Sequence, residues 1–152
     1  MTRISLDSNI LIYAEGTDDL AKRDVVIPIV ARVGQKSLFL TMQAAGETLR
    51  WLIGKGKLDR KIALQKMDWW LSQSTPLPMS VNSFKMACQL IDAHSFQLWD
   101  AVILAASAEA EADVLLSEDM QHGFSWRGVT IINPFKLSSL ELLTLIPEKT
   151  VH

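Results

Sequence analysis

Cysteine is almost missing from this chain of 152 residues: Cys88 is the only one. A lone thiol forms no internal disulfide, so no covalent cross-link holds the fold, and it fits a reducing compartment. Cys88 sits in the helical pattern Lys85-Met86-Ala87-Cys88-Gln89-Leu90 and reads as a small core filler rather than a nucleophile. Long apolar runs are missing too. None approaches the roughly 18 residues a membrane helix needs, so no membrane partner is expected. Asp7 interrupts the apolar Ile4-Ser5-Leu6, and the next apolar run, residues 10–14, is too short for a signal peptide. The expected location is therefore the cytoplasm. Basic excess is also lacking. The 15 Lys and Arg against 17 Asp and Glu leave a formal net charge of −2. That excludes coating nucleic acid by bulk attraction and still allows a local basic patch.

What the chain does have is apolar bulk: 49% of its residues are hydrophobic. A chain of this length buries roughly 70% of its unfolded surface, so it needs neither a disulfide nor a structural metal. No repeat, low-complexity tract or linker divides it, and one domain is expected over residues 1–135. Residues 136–152 form an apolar-dotted C-terminal tail expected to pack on that domain.

Strands are expected at residues 3–6, 37–41, 113–116 and 129–132, with a possible short one at 79–81. Helices are expected at residues 9–15 with Ser8 as cap, from Asp18-Asp19 to Gly34, and at 42–53. Three more are expected at 59–72, from Asn82 to 94, and at 98–112. Pro28 is expected to kink or split the second helix, Pro76-Leu77-Pro78 to break the chain, and residues 117–128 to form a loop. Apolar strands without clean alternation, separated by helices, indicate an α/β protein. Its expected form is a three-layer α/β/α sandwich around a mostly parallel sheet.

Four carboxylates fall where this structure changes: Asp7, Glu47, Asp100 and Asp119. Ligands of an open parallel sheet bind beyond the carboxyl ends of its strands. Asp7 lies just past the first strand and Asp119 three residues past the strand ending at Leu116. Glu47 and Asp100 lie in the early turns of helices, whose partial positive charge favours acids. Asp100 sits among Leu98, Trp99, Ala101, Val102 and Ile103, where an unpaired buried charge costs several kcal/mol. Asn9 offers a further oxygen beside Asp7, and Ser117 a hydroxyl. Glu118 competes with Asp119 for the inward position. Like charges brought this close raise one another's pKa or recruit a cation, and oxygen-only ligands suit Mg²⁺ or Mn²⁺.

The motifs are Leu6-Asp7-Ser8-Asn9-Ile10-Leu11-Ile12-Tyr13-Ala14, Gly46-Glu47-Thr48-Leu49, Leu98-Trp99-Asp100-Ala101-Val102-Ile103 and Leu116-Ser117-Glu118-Asp119-Met120-Gln121-His122-Gly123. With these the chain resembles the PIN-domain nucleases, most closely the small VapC-like toxins. The resemblance runs from Arg3 to about Phe135. It implies a magnesium-dependent endoribonuclease with Asp7, Glu47, Asp100 and Asp119 in an acidic metal pocket, Asp7 and Asp100 as the direct ligands. It also implies a small antitoxin partner whose tail blocks the pocket, and a homodimer. Ser117 stands where many relatives have threonine, which keeps the hydroxyl.

The chemistry expected of such a set is in-line phosphodiester hydrolysis by metal-activated water. His122 reads as a turn residue before Gly123 more than as a helper. Arg50, Lys55, Lys57, Arg60, Lys61 and Lys66 follow Glu47 and make either an RNA-binding rim, with Arg50, Lys55, Lys57 and Arg60 its nearest members, or a solvated helix face. Trp51, Trp69 and Trp70 read as core. One rival is a phosphatase of the haloacid-dehalogenase type with Asp7 as covalent nucleophile. It needs an aspartate where Asn9 stands. The other is a non-catalytic module whose acidic pocket only holds structure.

Overall fold

The computed structural model describes residues 2–16 and 19–146. In chain order the strands are β1 (Ile4–Leu6), β2 (Leu38–Thr41), β3 (Thr75–Leu77), β4 (Val114–Leu116), β5 (Ser125–Trp126) and β6 (Val129–Ile132). The helices are α1 (Ser8–Ala14), α2 (Leu20–Arg32), α3 (Met42–Ile53), α4 (Arg60–Ser72), α5 (Val81–His94), α6 (Leu98–Glu109) and α7 (Ser139–Leu145). The strands make one sheet in the order β3-β2-β1-β4-β6-β5, parallel except for the β5–β6 pair. With helices flanking the sheet, this is a three-layer α/β/α sandwich.

Both central strands are buried from end to end, as a sheet covered on two faces requires. Ile4, Leu6, Leu115 and Leu116 sit in the middle of the core with Ile103 and Leu104 of α6. Every residue of α6 from 101 to 108 is buried, so this helix is apolar on all sides. Its one buried hydroxyl is satisfied. Ser107 Oγ donates to Ser5 Oγ on β1 at 2.8 Å and lies 2.7 Å from the Ile103 carbonyl.

The register fixes where the strands end. Leu6 pairs with Leu116, and the Asp7 N–H donates to the Leu116 carbonyl at 2.9 Å, carrying the ladder one residue past β1. β2 ends at Thr41, whose hydroxyl caps α3 by accepting from the Ala44 N–H. The carboxyl ends of β1, β2 and β4 therefore share one edge with the starts of α1 and α3.

Several expectations are corrected in detail. Asp7, not Ser8, caps α1: its carboxylate accepts from the Ser8 N–H at 2.7 Å. α2 runs unbroken through Pro28 and ends at a Val33 cap. Asp18 lies outside the described residues; Asp19 caps α2 by accepting from the Lys22 N–H. The third strand is not 79–81 but Thr75–Leu77. Pro76 is tolerated there because β3 is an edge strand. Ser80 instead caps α5 in a reciprocal pair with Ser83. The segment expected as one loop after β4 contains β5, which folds back on β6. Cys88 is exposed on α5 rather than a core filler; the adjacent Ala87 is the buried position. In the tail, α7 carries its own capping box, and Ile146 joins the core with Leu142 and Leu145 against it. Residues 147–152 lie outside the described residues.

Among the described residues no helix is long and apolar enough to cross a membrane. Leu104 of α6 is fully buried in the core. Leu104→Ala should cost about 2–5 kcal/mol, read as a lower urea midpoint with an unchanged slope.

Candidate active site

At the shared edge, one open cavity of about 680 Å³ is lined by Asp7, Glu47, Asp100 and Asp119. The four acids come from four elements. Asp7 joins β1 to α1, Glu47 lies on α3, Asp100 in the first turn of α6, and Asp119 in the loop after β4. Ser8, Ile12, Arg50, Trp51, Gly54, Lys55, Gln97 and Trp99 complete the lining.

Asp7 is the deepest of the four at 4% exposed. Its Oδ1 accepts from the Ser8 N–H. Its Oδ2 accepts from the Ser117 hydroxyl at 2.7 Å and, more weakly, from Asn9 Nδ2 at 3.4 Å. Burial nevertheless pushes its pKa up to about 6. The Ser117 and Ser8 hydrogen bonds oppose that rise, and the charges of Asp100 and Glu47 add to it. Asp100, half-buried, is also raised, first by burial and then by Glu47 and Asp119. The acids therefore feel one another's charge across the cavity.

Glu47 is held from two sides. Ser8 Oγ donates to its Oε2 at 2.8 Å and Gln43 Nε2 to its Oε1 at 2.9 Å. Asn9 works as a bracket. Its Nδ2 donates to Asp119 Oδ2 at 3.1 Å, and its Oδ1 accepts from the Glu118 N–H at 3.3 Å. This tie reaches from α1 to the loop after β4 through one amide.

The competition between Glu118 and Asp119 is resolved by α2. Lys22 Nζ meets Glu118 Oε2 at 2.7 Å, and the Tyr13 hydroxyl donates to Glu118 Oε1 at 2.7 Å. Burial raises the Glu118 pKa, but the hydrogen bonds from Lys22 and Tyr13 outweigh it and the net shift is downward. The same contacts, Glu118 first, raise Lys22. Lys22 also lies over the Tyr13 and Phe135 rings. Glu118 thus points toward α2, leaving Asp119 to line the cavity. Ser117 Oγ also accepts from the Met120 N–H, closing the loop between them.

Of the basic segment, Arg50 and Lys55 reach the cavity lining, whereas Lys57 and Arg60 are exposed outside it. Lys66 is bound elsewhere, 2.7 Å from Glu15. His122 is a turn residue: its Nδ1 accepts from the Asn133 N–H at 2.9 Å. Trp70 is core, with its N–H donating to Glu15, but Trp69 is exposed and Trp51 lines the cavity. Gln43 and Lys22 lie outside the motifs, and Ser8, Tyr13 and Trp99, though within them, were given no role at the site. Gln43 had a signal, standing one helical turn before Glu47; the rest depend on tertiary placement.

Oxygen-only donors with mutually raised pKa values suit a hard divalent cation. Among the described residues, no three His, Cys, Asp or Glu side chains stand close enough together to hold a metal ion as placed. Repulsion between uncompensated carboxylates favours such spacing, and a cation would draw them inward.

Without a cation, Asp7 makes stability depend on pH. The folded pKa near 6 exceeds the ordinary 3.8. Its contribution is full below about 3.8 and is lost as pH rises through about 6. Metal-free protein should therefore lose stability between pH 4 and 7. Asp7→Asn should gain up to about 3 kcal/mol at pH 7 and almost nothing at pH 4, measured by denaturation in EDTA.

No family model matches this sequence, and no curated protein matches it at a significant level. Solved structures do match the fold. A toxin–antitoxin complex from Klebsiella pneumoniae superposes with a TM-score of 0.64 at 19% identity, over 88% of this chain and 99% of that one. DNA-bound VapBC from Salmonella typhimurium gives 0.63 at 13%, over 86% and 97%. VapC20 from Mycobacterium tuberculosis, a sarcin-ricin loop cleaving toxin, gives 0.62 at 14%, over 74% and 86%. The chain has the fold of the VapC-like PIN-domain toxins.

Proposed function

We propose that the protein is a metal-dependent endoribonuclease, the toxin of a type II toxin–antitoxin pair. The observation that carries the reading is the gathering of Asp7, Glu47, Asp100 and Asp119 from four elements into one open cavity with Arg50 and Lys55 on its wall. A pocket of raised acids beside two cations suits a divalent ion together with a phosphodiester.

Asp7, Asp100, Glu47 and Asp119 would hold Mg²⁺ or Mn²⁺, with Asp7 and Asp100 as direct ligands. Such an ion supplies Lewis acidity, polarising a phosphate oxygen and making water a stronger nucleophile at neutral pH. The protein's part is positioning. Ser117 and the Ser8 N–H fix Asp7, Ser8 Oγ and Gln43 fix Glu47, and Asn9 fixes Asp119. Arg50 and Lys55 draw the RNA backbone toward the acids, and Lys57 and Arg60 extend that pull along the strand's path. Among the described residues no histidine lines the cavity. The nuclease machinery lies within residues 1–135.

A small antitoxin is the partner this reading calls for, its tail occupying the same cavity. The Klebsiella pneumoniae match is itself a toxin–antitoxin complex. The same reading assigns a homodimer in the cytoplasm. A haloacid-dehalogenase-type phosphatase is disfavoured by Asn9, whose amide is committed to bracing the acids where that chemistry needs a second aspartate.

The test is cleavage of cellular RNA by purified protein with Mg²⁺, with EDTA, and with Asp7→Asn. Cleavage is expected only for wild type with Mg²⁺. Absence of both cleavage and calorimetric Mg²⁺ binding would transfer the assignment to a non-catalytic module. Reversing Arg50 and Lys55 to glutamate should weaken RNA binding across sequences and reduce its salt slope by about 1 per lost phosphate contact, while the fold stays intact.

A further inference from the structure

We propose that Trp51 and Trp99 are base-stacking platforms in the acidic cavity, holding bases of the RNA on either side of the scissile phosphate. This rests on the nuclease reading and adds to it two substrate-positioning residues.

The five tryptophans of the chain divide by environment. Trp70 is 2% exposed and its N–H donates to Glu15. Trp69 meets Trp70 edge to face, and Trp126 lies under the Arg127 guanidinium. Each of these three has a partner within the fold. Among the described residues, neither Trp51 nor Trp99 has a hydrogen bond to its indole N–H, a ring partner or a cation over its ring. Both line the cavity that holds the acids.

Their places in the sequence make that position specific. Trp51 stands four residues after Glu47 on α3, about 6 Å along the helix axis and on the same face. Arg50 and Gly54 share that face. Trp99 immediately precedes Asp100 in the first turn of α6 and is 45% exposed. Two indoles therefore approach the carboxylates from two separate elements. Trp51 is half-buried and Trp99 exposed, and both flank acids and cations where the backbone of a nucleic acid would pass. A charged groove with aromatic platforms is the arrangement by which single strands are held, because every base offers a face to stack.

Trp51 also packs against the turn after α3. A Cβ on Gly56 would stand 2.9 Å from Trp51 Cζ3 and 2.8 Å from the Leu52 carbonyl, so the turn after α3 closes tightly on the ring. A platform held this way loses little freedom when a base stacks on it. The cavity, at about 680 Å³, lies within the roughly 300–1,000 Å³ range of sites that enclose small ligands. A duplex keeps its bases stacked on one another and unavailable to these rings.

The experiment measures anisotropy of a short, labelled single-stranded RNA of mixed sequence, in Ca²⁺, against the same RNA annealed to its complement. Wild type should prefer the single strand at least about tenfold, and Trp99→Ala and Trp51→Ala should each weaken its binding about tenfold. Trp99→Phe and Trp51→Phe keep an aromatic face and should bind within about threefold of wild type. Alanine variants that are folded by circular dichroism and bind as wild type does would overturn the proposal. So would a preference for duplex. The two readings fail separately. Mg²⁺-dependent cleavage with no effect of the alanine substitutions removes the stacking role alone. Stacking-dependent binding with no cleavage under any metal removes the nuclease role alone.

Discussion

One carboxylate sets the terms for the rest of this site. Asp7 is buried at the end of a central strand, with three short-range donors and two like-charged neighbours. Hydrogen bonds of that kind ordinarily hold an acid ionised, and here they lose to burial and repulsion. The same residue caps α1 and extends the β1–β4 ladder. It cannot be moved to a more comfortable place without altering helix, sheet and loop together. The crowding of charge at the cavity is thus built into the frame rather than added to its surface.

The bracing around it follows the same logic at longer range. Asn9 reaches from α1 to the loop after β4, and Lys22 and Tyr13 anchor Glu118 in that loop to α2 and α1. Glu118 is a carboxylate used to orient its neighbour: with its own oxygens engaged by Lys22 and Tyr13, the chain turns Asp119 the other way. Two adjacent acids thereby take opposite roles through their partners alone.

How much of this was legible in the sequence depends on the range of the interaction. α3 was read residue for residue because its cap, its apolar spacing and Gly54 are all local signals. Asp7, Asp100 and Asp119 sit at or beside breaks between elements, which leave local signals, and Glu47 lies in the second turn of α3. What escaped depended on contacts between distant segments. β3 was misplaced because Pro76 argues locally for a break, while the sheet places it harmlessly at an edge. Cys88 was misjudged because composition says free cysteine is buried, but the helix phase puts Ala87 and Leu90 inward instead. Trp51 and Trp99 were not told apart from the buried Trp70 by local sequence; tertiary packing puts the first two on the cavity wall and the third in the core.

The sheet's two edges carry a consequence for assembly. At one edge β3 is three residues long and its middle residue, Pro76, has no N–H to offer; at the other, β5 is two residues long. An incoming chain cannot readily lengthen such a sheet by adding a strand, since neither border presents a continuous row of donors and acceptors. Edges this short disfavour strand addition and leave side chains on the helices and loops as the surface for association. Complementarity of shape and charge, rather than backbone pairing, would then decide which chains it accepts.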